Sequence, residues 1–413
     1  MATRRLVYLS DVHIGANEPV NWYQASVHEP YLAAALNYIR DTAAEIDEFI
    51  VLGDLFDLWT YVPEQAPASF EAVLAANPTI FGSAGRGGLL RLVLTALEGR
   101  ATFLNGNHDM TVTQAELNLL RDLQGHALRL VDAMTYAPKG GGGDVVCTHG
   151  HIFSVFCAPD PTGLLGKLPI GYFVTRLAAQ WDQKQIDDNP HKYRTVADMP
   201  NTGTPIGWGF NQKDIDRILD GVLHGQDGLA ELLFDVTIGD SADKQRLQRF
   251  FMPDGSTPNA YDLAHGAYKS SYDSWVARAG KHPDIFGDPT FDPPGPFALG
   301  DVDFEDSLLH FAKILGESHR VVVMGHTHAP EDEIDTPRYI HPFGKSLYVN
   351  CGFNCPSKPD MFRSQNPKHP TFVELEIDDQ AKVCTAKVRY VQRLLGGGFG
   401  VASQPLEEAR IDL

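Results

Sequence analysis

The sequence is short of cysteine, of basic residues and of long apolar runs, and each shortage removes a class of protein. Five cysteines in 413 residues, an odd number, do not make a disulfide framework, and Cys351 with Cys355 lacks the second thiolate pair that a structural zinc site needs. No uninterrupted apolar run approaches the roughly 18 residues of a membrane-crossing helix, which argues against a transmembrane segment. Residues 1–5 lead straight into Leu6-Val7-Tyr8-Leu9, too short for a secretory apolar region, so the expected location is the cytoplasm. Lysine and arginine number 34 against 53 aspartates and glutamates, a formal net charge of -19. That balance opposes loose attraction to nucleic acid or to an anionic bilayer. It leaves room for a phosphate-bearing small molecule, because bound cations reverse a local field.

What is present is enough apolar residue, 43%, to bury a large core, in a chain long enough for more than one domain. Short apolar runs at 5–10, 49–52, 101–104, 144–148 and 322–324 read as buried strands. Helical spacing at 31–47 and 89–99 separates the first three of them, with a polar loop at 17–28 carrying Trp22 and Tyr23. Alternation at 346–352, 371–377 and 382–391 reads as half-exposed strands. Between His151 and about Glu317 the texture changes to helical stretches at 173–187, 213–233, 242–251 and 260–279, a Pro/Asp/Gly-rich linker at 283–296 and a last helix at 304–316. The histidines of this block, His191, His224, His265 and His282, have no neighbours at ligand spacing. Lys139 and the four glycines after it suggest a phosphate cradle, but no Gly-Lys-Ser/Thr opening a helix follows, and a hairpin turn is the better reading. From Leu395 the chain is glycine-rich, then polar, and is expected to be a surface strap.

The ends of the strands carry the chemistry. The first closes on Asp11-Val12-His13, the second on Gly53-Asp54-Leu55-Phe56-Asp57, and the third on Asn105-Gly106-Asn107-His108-Asp109. The fourth closes on His149-Gly150-His151 and the fifth on Gly325-His326-Thr327-His328. Each is unspecific alone: Asp11 and His13 can simply end a strand, Asp57 can cap a helix or accept a hydrogen bond from a ligand, and Asn-His-Asp is commonly a turn. Together, a layered sheet brings the strand ends to one edge, the usual place for ligands in α/β folds. Asp11, His13, Asp54, Asn107, His149, His326 and His328 then provide one bridging carboxylate and six further ligands, the inventory of a two-metal site with ions about 3.5–4 Å apart. His108, next to Asp109, suits a proton donor whose tautomer a carboxylate fixes.

This series resembles the calcineurin-like metallophosphoesterase superfamily, whose motifs Asp-x-His, Gly-Asp-x-x-Asp, Gly-Asn-His-Asp/Glu, a later His and Gly-His-x-His stand here in order over about residues 5–155 and 318–352. The resemblance implies an α/β fold, a four-layer-type sandwich of two mixed β-sheets flanked by helices. The core would comprise 1–155 and 305–395, with a largely helical cap inserted at 156–304 and a tail at 396–413. It further implies one metal on Asp11, His13, Asp54 and His328 and a second on Asp54, Asn107, His149 and His326. The N/O donor set suits Mn, Fe, Zn or Co. A bridging water or hydroxide would attack phosphorus in line, and His108 would protonate the leaving oxygen with Asp109 orienting it. His151 resembles a histidine that some members use near the substrate, and a structural role stays equally open. Trp22, Tyr23 and Trp59, with Tyr268 and Tyr272 of the cap, are candidates for the leaving-group pocket, and packing is the other reading of each.

The expected function is a cytoplasmic, dinuclear metal-dependent hydrolase of a small or medium phosphomonoester or phosphodiester. Three alternatives stand beside it. The stretch from Gly53 to Trp59 and the insertion resemble the branch that hydrolyses UDP-diacylglucosamine, but that branch carries Arg where this chain has His108, so its substrate is not carried over. The motifs also resemble SbcD-type nucleases, whose DNA grooves need a basic face that the composition does not supply. A metal-binding scaffold without catalysis would have no need of His108.

Overall fold

In the computed structural model the described residues are 3–83, 86–153, 168–199, 315–328, 339–353 and 369–413, together with 157, 159, 252, 362–363 and 366–367. The first half alternates strand and helix: β1 (Arg4–Leu9), α1 (Ala25–Asp41), β2 (Glu48–Leu52), α2 (Phe70–Ala76), α3 (Leu89–Leu97), β3 (Ala101–Leu104) and a short β4 (Arg129–Leu130). β5 (Val145–Thr148) and the long helix α4 (Ile170–Asp188) follow. After the inserted segment come β6 (Val321–Met324), β7 (Ile340–Phe343), β8 (Ser346–Asn350), β9 (Thr371–Asp378), β10 (Val383–Arg393), β11 (Phe399–Val401) and β12 (Glu407–Asp412).

Two mixed sheets result. One runs β11-β10-β9-β1-β2-β3-β4, with β12 also on β10; β1 to β4 are parallel, while β9 to β12 pair antiparallel. The other runs β5-β6-β8-β7, parallel except for the β7–β8 hairpin. Period-two alternation along β1 decides the layering. Val7 and Leu9 pack with Leu32, Leu36 and Ile39 of α1 and Leu94 of α3, whereas Leu6 and Tyr8 pack with Val145, Val321, Val323 and Leu347 of the second sheet. The fold is therefore helices on sheet on sheet, with each buried Leu, Ile, Val or Phe contributing roughly 1.5–3 kcal/mol. This α/β arrangement of two mixed sheets with flanking helices agrees with the expected fold. No helix among the described residues is long and apolar enough to cross a membrane.

Several expectations change in detail. α1 begins at Ala25, not at 31, and runs through Pro30. Pro30, the sixth residue, has no N–H to donate to Ser26 O, so the helix gives up one ladder bond there. The β7–β8 hairpin had not been expected. The tail is no loose strap: β11 and β12 pair with β10, and alternation through Ala409 and Ile411 sets these two against the inter-sheet core. The glycine run after Lys139 forms a 3-10 turn, with Gly140 against Leu6 and Gly141 against Val145. Of the inserted segment, the expected helix at 173–187 is present as α4. The helices at 213–233, 242–251 and 260–279, the linker at 283–296, most of 304–316, and Tyr268 and Tyr272 lie outside the described residues.

One polar cluster interrupts the helix-facing side. Glu374 of β9 is fully buried and receives Arg5 of β1 and Arg389 of β10, the latter at 2.7 Å. Arg5 also donates to Tyr38 and Glu45 of the helical layer. Glu374→Ala leaves two guanidinium groups facing one another without their shared carboxylate, so we expect a loss of about 3–5 kcal/mol in unfolding free energy, measured by denaturant titration. Loss below about 1 kcal/mol, the range of an exposed pair, would show that the cluster contributes nothing beyond surface charge.

Candidate metal centre

The carboxyl ends of β1, β2, β3, β5 and β6 meet at one edge, and backbone contacts join the two sheets there. Ser10 bridges Gly352 and the Phe353 amide donates to Ser10 O at 2.9 Å, while within the second sheet the Gly325 amide donates to His149 O at 3.1 Å. The turns that follow the strands are unusual in backbone conformation. Eight non-glycine residues among those described have φ in the left-handed region, and five of them are Asp11 (56°), His13 (56°), Asp54 (52°), His326 (73°) and His328 (65°). That conformation costs an L-residue roughly 1–2 kcal/mol, and strain of this kind concentrates at functional sites. It is held in place by hydrogen bonds between turns: the Val12 and His13 amides both donate to Asp54 O, at 2.9 and 2.8 Å, and the His326 amide donates to Asp11 Oδ1 at 2.9 Å. Gly106 must lack a side chain, because a Cβ there would collide with the Asp54 carboxylate.

Asp54 is the centre of the arrangement. Its Oδ1 accepts the His108 backbone N–H at 2.8 Å. Its Oδ2 lies 3.7 Å from His13 Nε2 and 3.2 Å from His149 Nε2. On the His13 side, the rings of His13 and His328 stack at 4.7 Å with their Nε2 atoms 3.2 Å apart, and Asp11 joins them within ligand range. On the His149 side, Asn107 Oδ1 lies 3.1 Å from His149 Nε2, and His326 completes the group with its ring 5.3 Å from that of His149. The His149 Nδ1–H donates to the Leu52 carbonyl at 2.8 Å, which aims Nε2 at the oxygens of Asp54 and Asn107. A main-chain acceptor of this kind commonly fixes the orientation of a metal-binding imidazole.

Charge at the site asks for a cation. Burial pushes the Asp11 carboxyl up to about 6. Burial alone would lower His149, but Asp54 and then Asp11 outweigh it and raise the imidazole to about 9. Burial would raise Asp54, but His149 and His13 hold it well below the usual carboxylate range. His13 and His326 are held well below an ordinary histidine by burial and by neighbouring imidazoles, His108 for the first and His149 for the second. A site holding an ionised carboxylate, a positively charged His149 and neutral imidazoles with converging nitrogens has the donor set of a metal centre. In the metal-free protein the proton on His149 supplies the positive charge.

His108 stands beside this group, and its carboxylate partner is Asp57. His108 Nδ1 is 3.0 Å from Asp57 Oδ1, both side chains are buried, and Asp57 outweighs the effect of burial to raise the imidazole above its ordinary value. The expectation that Asp109 orients His108 is therefore corrected. Asp109 turns under the loop and accepts the amides of Leu55 at 3.0 Å, Phe56 at 3.3 Å and Gly106 at 2.7 Å. Burial, then the Asp54 charge, push its carboxyl up to about 7. Three converging backbone donors outcompete a single ring nitrogen for that carboxylate.

Of the expected pocket aromatics, Trp59 stacks on His108 at 4.6 Å and 27°, and Trp22 lies 4.9 Å from His108 and 4.8 Å from His13. Both are nearly buried and act as walls around imidazoles. Tyr23 is fully buried in the helix-facing core with its ring stacked on that of His28. His151 is buried with its ring 5.2 Å from that of His149. Two contributors escaped the sequence reading. Ser10 donates to Asp11, and Asn350 donates to Thr327 and accepts the Gly352 amide, which braces the His326–His328 turn. The only signal for either was a polar residue ending an otherwise apolar strand.

The family model for calcineurin-like phosphoesterases matches residues 4–225. A UDP-2,3-diacylglucosamine hydrolase of Pectobacterium carotovorum is 25% identical over 203 residues, 47% of this chain and 71% of the relative. Solved structures of Vps29 are also similar in part. The one from Chaetomium thermophilum, complexed with a cyclic peptide, is 20% identical at a TM-score of 0.17, and a single mutant from Entamoeba histolytica is 21% identical at 0.16. Each match covers 26% of this chain, and the chain spans about half the length of those structures, 48% and 47%.

Proposed function

The chain belongs to the calcineurin-like phosphoesterase family, and from that premise we propose that it is a two-metal hydrolase of a small or medium organic phosphate, either monoester or diester. The observation that carries the proposal is Asp54 Oδ2, set between His13 and His149 in two adjoining ligand groups. One group is Asp11, His13 and His328 with Asp54, and the other is Asp54, Asn107, His149 and His326. When bound, two metal ions supply neutralisation of the phosphoryl oxygens and a nucleophile near neutral pH. The side chains contribute the rest. His108, raised by Asp57, holds a proton to give to the leaving oxygen. Asp57 fixes the ring through Nδ1, so that Nε2 is the donating atom. Trp22 and Trp59 exclude water around that imidazole.

The His108–Asp57 pair favours an enzyme over a metal-binding scaffold. The net charge of -19 favours a small organic phosphate over DNA, and the name of the Pectobacterium relative puts a UDP-linked diacylglucosamine in the substrate panel beside simple phosphate esters. Chelator-stripped protein is expected to lose hydrolysis of p-nitrophenyl phosphate esters and to regain it with added Mn, Fe, Zn or Co. Undiminished activity after stripping would overturn the proposal, and a plasmid-nicking assay separates a nuclease from it.

Metal affinity should depend on pH with a defined sign. In metal-free protein His149 keeps its proton up to about pH 9, and an ion on Asp54, Asn107, His149 and His326 must displace that proton. Affinity is thus expected to rise roughly tenfold per pH unit from 7 to 9 and to level off above, one proton being released per ion. Competition titration against a chelating dye at three pH values measures it, and a flat profile would remove His149 from the ligand set.

A further inference from the structure

We propose that Arg176 and Tyr172, on the first described helix of the inserted segment, are positioning residues for His108. The inference rests on the reading of His108 as proton donor. Arg176 is fully buried, and its guanidinium serves one loop of the core. Nε donates to Tyr61 O at 3.1 Å, while Nη2 donates to Val62 O at 2.8 Å, Pro63 O at 3.3 Å and Gln65 O. Nη1 donates to the Tyr172 hydroxyl at 2.6 Å. Carbonyls of four residues in a five-residue stretch converge on one cation, a geometry that the planar fork of arginine accommodates and an ammonium does not. A helix that only packed would cover this loop with apolar residues and leave those carbonyls to other donors.

The loop that Arg176 gathers begins beside Asp57, the carboxylate partner of His108. Asp57 Oδ1 accepts the amides of Trp59 at 2.9 Å and Thr60 at 3.0 Å in addition to His108 Nδ1. Trp59 lies between two rings: it stacks on His108 at 4.6 Å and meets Tyr172 edge-on at 5.9 Å. The chain of contact is therefore Arg176 and Tyr172, then the 59–65 loop, then Asp57 and Trp59, and finally His108 from two sides. These contacts of Arg176 and Tyr172 lead to the His108 side of the site, so their effect is expected to fall on leaving-group protonation and to spare metal binding.

The test compares wild type with Arg176→Met, Arg176→Lys and His108→Ala on p-nitrophenyl and phenyl phosphate and on their methyl diesters, with metal content and thermal midpoint measured on each protein. His108→Ala should lose far more on phenyl than on p-nitrophenyl esters. Arg176→Met should show discrimination in the same direction but smaller, about tenfold against the 10²–10⁴ expected for loss of the positioned acid itself, at unchanged metal content, with Arg176→Lys between it and wild type. Equal losses on the two esters in a folded, metal-loaded Arg176 variant, alongside normal discrimination by His108→Ala, would overturn the positioning role alone. Equal losses in His108→Ala would remove the proton donor, and the positioning role with it. If Arg176→Met does not fold, Arg176→Lys carries the same comparison.

Discussion

His108→Ala is expected to lower turnover on alkyl phosphate esters by about 10²–10⁴-fold, the range that a positioned proton donor contributes, and on p-nitrophenyl esters by only a few-fold. The difference follows from the leaving group. An alkoxide is a poor leaving group until protonated, whereas p-nitrophenolate departs as a stabilised anion. His108 is placed for the task by its 3.0 Å contact with Asp57 and by burial against Trp22 and Trp59. The substitution keeps the His108 backbone N–H on Asp54 Oδ1, so the metal content of the variant should equal that of wild type. Asp57→Asn should shift discrimination between the two esters in the same direction, because it weakens the acceptor that holds His108 Nδ1. Equal losses by His108→Ala on both classes would remove it as the acid.

Asp54→Asn is expected to empty both metal positions together. The amide replaces two equivalent oxygens with one oxygen and one NH2 group. If the amide oxygen keeps the His108 N–H, the NH2 group faces His13 and His149 and repels a cation. If it turns around, the His108 amide is left against a donor. Either way the central negative charge is lost, together with the main influence that raises His149. We expect less than one ion per chain by elemental analysis, and a fall in activity beyond the roughly 10–100-fold that loss of a ligand's supporting partner produces. A variant still carrying two ions would show that Asp54 does not bridge.

Much of the site was legible because each motif is local. A short apolar strand followed by Asp-x-His, Gly-Asp or Gly-His-x-His requires only that strands share an edge, and the order of β1, β2, β3, β5 and β6 does place those ends together. What the residues could not reveal was orientation within a turn. Asp109 adjoins His108 in sequence whereas Asp57 is 51 residues away, and which one meets the imidazole depends on where the Leu55, Phe56 and Gly106 amides point. The left-handed φ of Asp11, His13, Asp54, His326 and His328 had no sequence signal either, since these positions carry no glycine. Tyr23 and Trp22 are neighbours in one loop, yet the Trp22 ring lies against His13 and His108 and the Tyr23 ring against His28. β12 was missed because Glu407-Glu408-Ala409-Arg410-Ile411-Asp412 reads as polar until its pairing with β10 shows that only alternate residues face inward. Arg176 was hidden among packing residues of an amphipathic stretch, since its partners are main-chain carbonyls that no sequence pattern marks.

The central claim, two ions sharing Asp54, is tested most directly by adding back metal to chelator-stripped protein while following p-nitrophenyl phosphate ester hydrolysis. The prediction is that activity is absent in the stripped protein and reaches its plateau at two equivalents per chain. Full activity at one equivalent, or with none, would contradict it.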